Sequence, residues 1–274
     1  MPLDRHRPPV RLHWELARRG FRRYAAYPGA TIAGLFTNTF FGLLIAYVLL
    51  AVYETRVEVG GYDVVEAVTY VWLGQGLLSV VASFGPTWSE LALRIRSGDI
   101  ATDLQRPLDL QAAGLAQDAG RAFYQLLFRA LPPFVVGGLV FEITLPDDPM
   151  RWLAFALSVV LAVAVSFAIR FLVNLWAFWL LDYRGSLALA MATTSLLSGM
   201  VVPLVYFPGG LADVVRALPF ASMLQAPIDV FLGEELGGST LVVLALQLLW
   251  AVLLLGLGRA LLAAGTRKLV VQGG

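Results

Sequence analysis

Cysteine is absent from the 274 residues, which rules out disulfides and thiolate metal ligands and leaves the redox compartment open. Lysine occurs once, at Lys268 in the run GTRKL, and no G-x-x-x-x-G-K-[ST] sequence exists, so the chain has no phosphate-binding loop of its own. Histidine is limited to His6 and His13, both ahead of the first apolar run, and no acid is central to such a run. A proton-coupled secondary transporter normally places acids or histidines near the membrane midplane, so that class takes second place. No histidine pair, metal cluster, G-x-S-x-G or paired intramembrane carboxylate points to an intramembrane enzyme. Charge is scarce: 14% of residues are charged, against about a quarter in an ordinary soluble domain. The net charge of +1 supplies no excess to neutralise a phosphate backbone, which argues against nucleic acid as a partner.

What remains is apolar, at 58% of residues, and it is collected into runs long enough to cross about 30 Å of hydrocarbon as helices. Six spans are drawn, at 29–53, 64–84, 121–142, 152–179, 186–206 and 240–263. The fold class is therefore all-α, a polytopic membrane protein. A cleaved signal peptide is not expected, because the first apolar run is too long for one and follows an arginine-rich segment, 1–28. Orientation follows from the arginines, since basic short loops stay cytoplasmic. Arg5, Arg7, Arg11, Arg18, Arg19, Arg22 and Arg23 precede span 1; Arg94, Arg96 and Arg106 follow span 2; Arg184 follows span 4; Arg267 and Lys268 follow span 6. The alternate loops are richer in acid, with Glu54, Glu58 and Asp63, then Asp147 and Asp148, then Asp213, Asp229, Glu234 and Glu235. Both termini are expected in the cytoplasm, and the membrane expected is the prokaryotic plasma (inner) membrane.

Two polar stretches carry pattern. In 1–28, Val10, Trp14, Ala17, Phe21 and Tyr24 recur at helical spacing, opposite Arg11, Glu15, Arg18 and Arg22. This reads as an amphipathic helix lying on the inner membrane face, its arginines toward anionic lipid, or simply as a basic tail that sets topology. In the loop 85–110, Thr87 and Glu90 have capping-box spacing, so a short helix is predicted through Leu91, Arg94, Ile95 and Arg96 to Ser97-Gly98. A second turn from Asp99 through Asp103 ends before Arg106-Pro107. Such helices suit docking to a soluble partner, with Leu91 and Ile95 entering a groove and the charged residues at its rim. A solvated loop with incidental helical turns fits the same letters.

The run IRSGDIATDLQRPLDL, Ile95 to Leu110, resembles the cytoplasmic segment of permease subunits of type-2 ABC exporters, in a branch of uncharacterised ABC-type transport permeases. A second block, SGMVVPLVYFPGGLADVVRALPFASMLQAPIDVFLG, Ser198 to Gly233, is similar to the signature that follows the fifth span in that family. The resemblance implies a connecting helix in 1–28, a six-span domain in 29–268, a coupling loop at 85–110 and outer re-entrant helices in 203–232. It also implies separate ABC ATPase subunits that bind ATP and magnesium, and a second six-span permease, the same chain or a related one. Export of an amphipathic or lipid-like substrate is then the expected activity, with a secondary transporter or a non-catalytic membrane scaffold as the alternatives.

Intramembrane polar residues are the candidates for a substrate path, because they are expensive in lipid. Ser166, Arg170 and Asn174 are four residues apart and share one face of span 4. Arg129 in span 3 lies at a comparable depth, and Asn38 lies on a polar face of span 1. Arg129 and Arg170 are read as flanking an inward-facing, positively charged vestibule for an anionic or zwitterionic amphiphile, with Asn38, Ser166 and Asn174 as further candidates on the path; snorkelling of the arginines to headgroups is the competing account. The remaining hydroxyl and small-residue stripes read as helix packing.

Overall fold

The computed structural model describes residues 10–81, 88–180, 182–233 and 239–268. Among them the regular elements are helical, with one isolated bridge between Val59 and Tyr62 closing a turn. Helix α1, Val10–Ala25, is followed by α2, Pro28–Tyr53, whose first position holds proline, the residue that loses nothing there because the first N–H groups have no partner. Helix α3, Val64–Val80, opens on a capping box: the Asp63 carboxylate accepts from Glu66 N at 2.8 Å, and Glu66 accepts from Asp63 N at 2.9 Å. Two short helices follow, α4 at Glu90–Ser97 and α5 at Ile100–Leu104.

Next comes one long rod from Leu110 to Val140, made of α6, Leu110–Gln125, a π turn, Leu126–Ala130, and α7, Leu131–Val140. The π turn stands directly before Pro132 and Pro133, which have no N–H for the carbonyls one turn back; widening the helix there is one way to accommodate the two rings. Helix α8, Pro149–Leu175, is capped by Asp148 and runs into a 3₁₀ turn, Trp176–Phe178. The chain then forms α9, Arg184–Leu197, α10, Leu211–Ala217, α11, Gln225–Leu232, and α12, Thr240–Thr266.

Among the described residues, four helical stretches are long and apolar enough to cross a membrane: Pro28–Tyr53, Leu110–Val140, Pro149–Phe178 and Thr240–Thr266. Helix α3, at 17 residues, is about 25 Å long, somewhat short of the hydrocarbon thickness. Helix α9 has 14 residues and ends well before the expected boundary at 206: Gly199 takes φ +84°, a left-handed conformation that a side chain disfavours, and Pro203 blocks resumption. The helix that carries span 3 extends the other way, beginning at Leu110, ahead of the expected span boundary of 121.

Helix α8 forms the axis of the molecule. Along its second half nearly every side chain is buried, against α12, α11, α6 and α4. Helix α2 does the reverse and exposes Ile32, Phe36, Phe40, Leu44 and Tyr47, as expected where the surrounding solvent is lipid. Helix α1 packs lengthwise on α6 through small residues. A methyl group at Gly20 would lie 2.0 Å from Gln117 O, and one at Gly120 would lie 1.8 Å from Ala17 O, so only glycine permits this approach. Ala17, Phe21 and Tyr24 thus lie between two helices, with Phe21 edge-on to Tyr124 at 5.2 Å, while Trp14 stays 68% exposed.

Candidate functional site

The polar residues of α8 do not line an open vestibule. They meet a second polar face, on α6, made of Gln111, Asp118, Arg121 and Gln125, all buried. Asp118 is the hub. Its carboxylate accepts from Arg170 Nη2 at 2.7 Å and Nη1 at 3.3 Å, and from Arg121 Nε at 2.7 Å and Nη2 at 3.3 Å. Arg121 also donates to Ser79 O at 2.8 Å and Val80 O at 2.7 Å, the open carbonyls at the end of α3, where the helix dipole favours a cation. Ser166 donates to Val81 O, and Arg170 Nε donates to Ser166 at 3.3 Å. One carboxylate and a helix C-terminus together offset two buried guanidinium charges, and the end of α3 is tied to α6 and α8.

Asn174 extends this junction to α4. Its Oδ1 accepts from Ala92 N at 2.8 Å, and its Nδ2 donates to Trp88 O at 2.9 Å and Arg170 O at 2.6 Å. Ala92 N is one of the first N–H groups of α4, which have no partner within the helix, so a side chain of α8 caps the loop helix from outside. The expected cap, Thr87, lies outside the described residues; Glu90 instead accepts from Arg23 of α1 at 2.8 Å and 3.1 Å, which raises the arginine's pKa. Ile95, 7% exposed, and Ile100, fully buried, pack against Phe167, Phe171 and Leu175, with Leu91 beside them. The expectation that Ile95 enters a partner's groove is therefore corrected: its apolar surface is already covered by α8.

The outward side of this segment carries Leu93, 54% exposed, with Arg96 and Asp99. Arg94 pairs with Asp103 at 2.5 Å, Arg106 reaches the same carboxylate at 3.8 Å, and Asp99 accepts from Ser97 at 2.6 Å. A cavity of about 180 Å³ lies where α1, α4, α6 and α8 converge, lined by Arg23, Arg94, Asp118 and Arg170 among others.

Arg129 is not part of this junction. It projects from the π turn toward α2, where Asn38 accepts from its Nη2 at 3.5 Å. Asn38 itself donates to Gln75 O at 2.8 Å. The pairing of Arg129 with Arg170 across one vestibule is thus corrected, because Arg170 is neutralised by Asp118, which sequence reasoning missed. Starting span 3 at 121 hid the signal, an Asp and an Arg three apart on one helix face.

Long apolar helices around a buried polar seam, with short helices anchored to that seam from outside the spans, define a multi-pass membrane protein with peripheral elements fixed to its core. Residues 37–273 match the family described as ABC-2 family transporter protein, and the chain belongs to that family. It is a membrane transport component of the ABC-2 permease kind, a family that generally works with ABC ATPase subunits. No curated protein and no solved structure matches the chain.

Proposed function

We propose that this chain is the membrane-spanning subunit of an ATP-driven exporter in the prokaryotic plasma membrane, moving an amphipathic or lipid-like substrate outward. ATP and magnesium are bound by a separate ATPase subunit, two of which serve a dimer formed with a second six-span permease, identical or related. The observation that carries this reading is the anchoring of α4: a loop helix held to the longest buried helix by Asn174 transmits a push from below instead of yielding to it. The surface offered to the ATPase is then Leu93, Arg96 and Asp99, with Glu90, Arg94, Asp103 and Arg106 bracing α4 and α5.

In this reading α3 and α9 complete six crossings, both termini are cytoplasmic, α1 is the connecting helix, and the α10–α11 segment dips into the outer leaflet. The substrate path runs beside Asn38 and Arg129, while Ser166, Arg170 and Asn174 serve transmission. Co-purification of a tagged chain with an ATPase bearing Walker motifs, and stimulation of that ATPase in vesicles, tests the proposal. A chain that stimulates no ATPase and accumulates no cargo would revert to the scaffold alternative, and one driven by a proton gradient to the secondary transporter.

A further inference from the structure

Arg129 differs from Arg121 and Arg170 in its surroundings. Those two share Asp118, whereas among the described residues no Asp or Glu lies within 4.0 Å of Arg129. Its Nε is buried without a hydrogen-bond partner among the described residues, where the polar contact it makes is the 3.5 Å bond to Asn38. The location makes this costly. Asn38 lies ten residues into the 26-residue α2, about 15 Å from its first residue at 1.5 Å per residue and level with Gln75 and Ser79 of α3, and so inside a spanning helix. The protein nonetheless builds a seat for the group: a methyl group at Gly34 would come within 2.2 Å of the guanidinium carbon, so α2 leaves that space for Arg129. Phe128 and Leu131, its neighbours on the π turn and α7, are 46% and 47% exposed, so the described residues of the chain leave this apolar approach uncovered. A half-buried guanidinium with an unpaired Nε–H, facing an apolar entrance, is matched by a compact anion on an apolar stem.

We propose that Arg129, seated over Gly34 and oriented by Asn38, binds the phosphate or carboxylate headgroup of an anionic amphiphile within the span and selects such molecules over cationic ones. This rests on the transport reading and names the charge class of the cargo on that path. The test is equilibrium binding to the purified full-length chain in neutral-lipid nanodiscs, which needs no ATPase and so stands or falls separately from the coupling mechanism. The probes are short-chain phosphatidylglycerol, phosphatidylcholine and an alkyltrimethylammonium carrying the same fluorophore. The anionic probe should bind roughly tenfold or more tightly than the cationic one, the discrimination of a charge-assisted pair.

Arg129→Gln should erase that preference. Arg129→Lys, which keeps charge without the fork, should fall between the two. Gly34→Ala, which keeps the arginine but displaces it, should weaken the anionic probe, and together with Arg129→Lys it carries the test if Arg129→Gln does not fold. Competition by inorganic phosphate would assign recognition to the free anion chemistry; binding that phosphate leaves untouched would assign it to the lipid headgroup, and both outcomes support the site. Equal binding of anionic and cationic probes by the unaltered protein overturns the proposal. So does an undiminished preference in Arg129→Gln.

Discussion

Replacing Asp118 with asparagine keeps the side chain's shape and removes the one carboxylate that Arg121 and Arg170 share. Four hydrogen bonds converge on it, two from each guanidinium, and all three side chains are about 95% buried. In Asp118→Asn the amide presents N–H donors to groups that can only donate, and two like charges remain on buried side chains. Breaking a buried ion pair by removing one partner costs about 3–5 kcal/mol, far above the ordinary surface substitution. Arg121 retains the carbonyls of Ser79 and Val80, so the larger share of the loss falls on Arg170. Unfolding of the full-length protein by denaturant in detergent reads the effect. Combining Asp118→Asn with Arg170→Gln should recover much of it, because the orphaned charge is removed as well, and the double-mutant cycle then gives a coupling energy of about 1–3 kcal/mol. Asp118→Asn within about 0.5 kcal/mol of the parent would refute the account of the junction as a charge-balanced clamp.

The same geometry yields further expectations. Ile95→Asp should lower stability by about 3 kcal/mol or more, because it places a charge against Phe167 and Phe171, whereas Leu93→Asp should leave folding within about 0.5 kcal/mol and reduce ATPase stimulation in the assembled complex. Asn174→Leu should uncap α4 at a cost of about 1–2 kcal/mol and speed proteolysis within α4; unchanged cleavage would deny Asn174 its anchoring role. Arg170→Lys should behave nearly as badly as Arg170→Ala in stability, since lysine cannot make the two parallel bonds to Asp118. Reporter fusions at Gly60, Asp148 and Leu236 should all read as external, and a cytoplasmic signal at any of them breaks the six-span arrangement.

Hydropathy alone revealed the spanning helices that are long and uninterrupted, and the breaks at Ser97-Gly98 and before Pro107 were visible in turn chemistry. The seam was harder, for a physical reason. Ser166, Arg170 and Asn174 could be placed on one face by their spacing, but spacing cannot say what stands opposite. Asp118 stands there, and its run, AGLAQDAGRAF, is polar enough to pass for the end of a loop although it is buried by α1 and α8. Ile95 misled in a related way: an apolar residue on a polar loop needs cover, and periodicity does not distinguish cover by a partner from cover by a distant helix of the same chain. The cap on α4 had no local signature at all, because its donor and acceptor are 82 residues apart.

The hydrogen bonds along α8 also constrain how movement can pass through the protein. Near one end Asn174 and Arg170 hold Trp88, Ala92 and Asp118; near the other Ser158 donates to Gln247 of α12 at 2.8 Å, and Gln247 donates to Ser222 O, just ahead of α11, at 2.9 Å. Ser158 and Asn174 are sixteen residues apart, about 24 Å along the axis, and the helix between them is close-packed on most sides. A displacement of α4 therefore cannot be absorbed where it begins. Bending α8 would break main-chain hydrogen bonds in an apolar surrounding, and sliding α4 alone would strand the Asn174 amide and the first N–H groups of α4 without partners. Moving α8 as a body keeps those bonds and carries Gln247, Ser222 and the start of α11 with it. The route of least cost from the α4 side to the α10–α11 side is a shift of α8 as a body, and because Arg170 holds Asp118, α6 and the rod that continues into the π turn of Arg129 are drawn along with it.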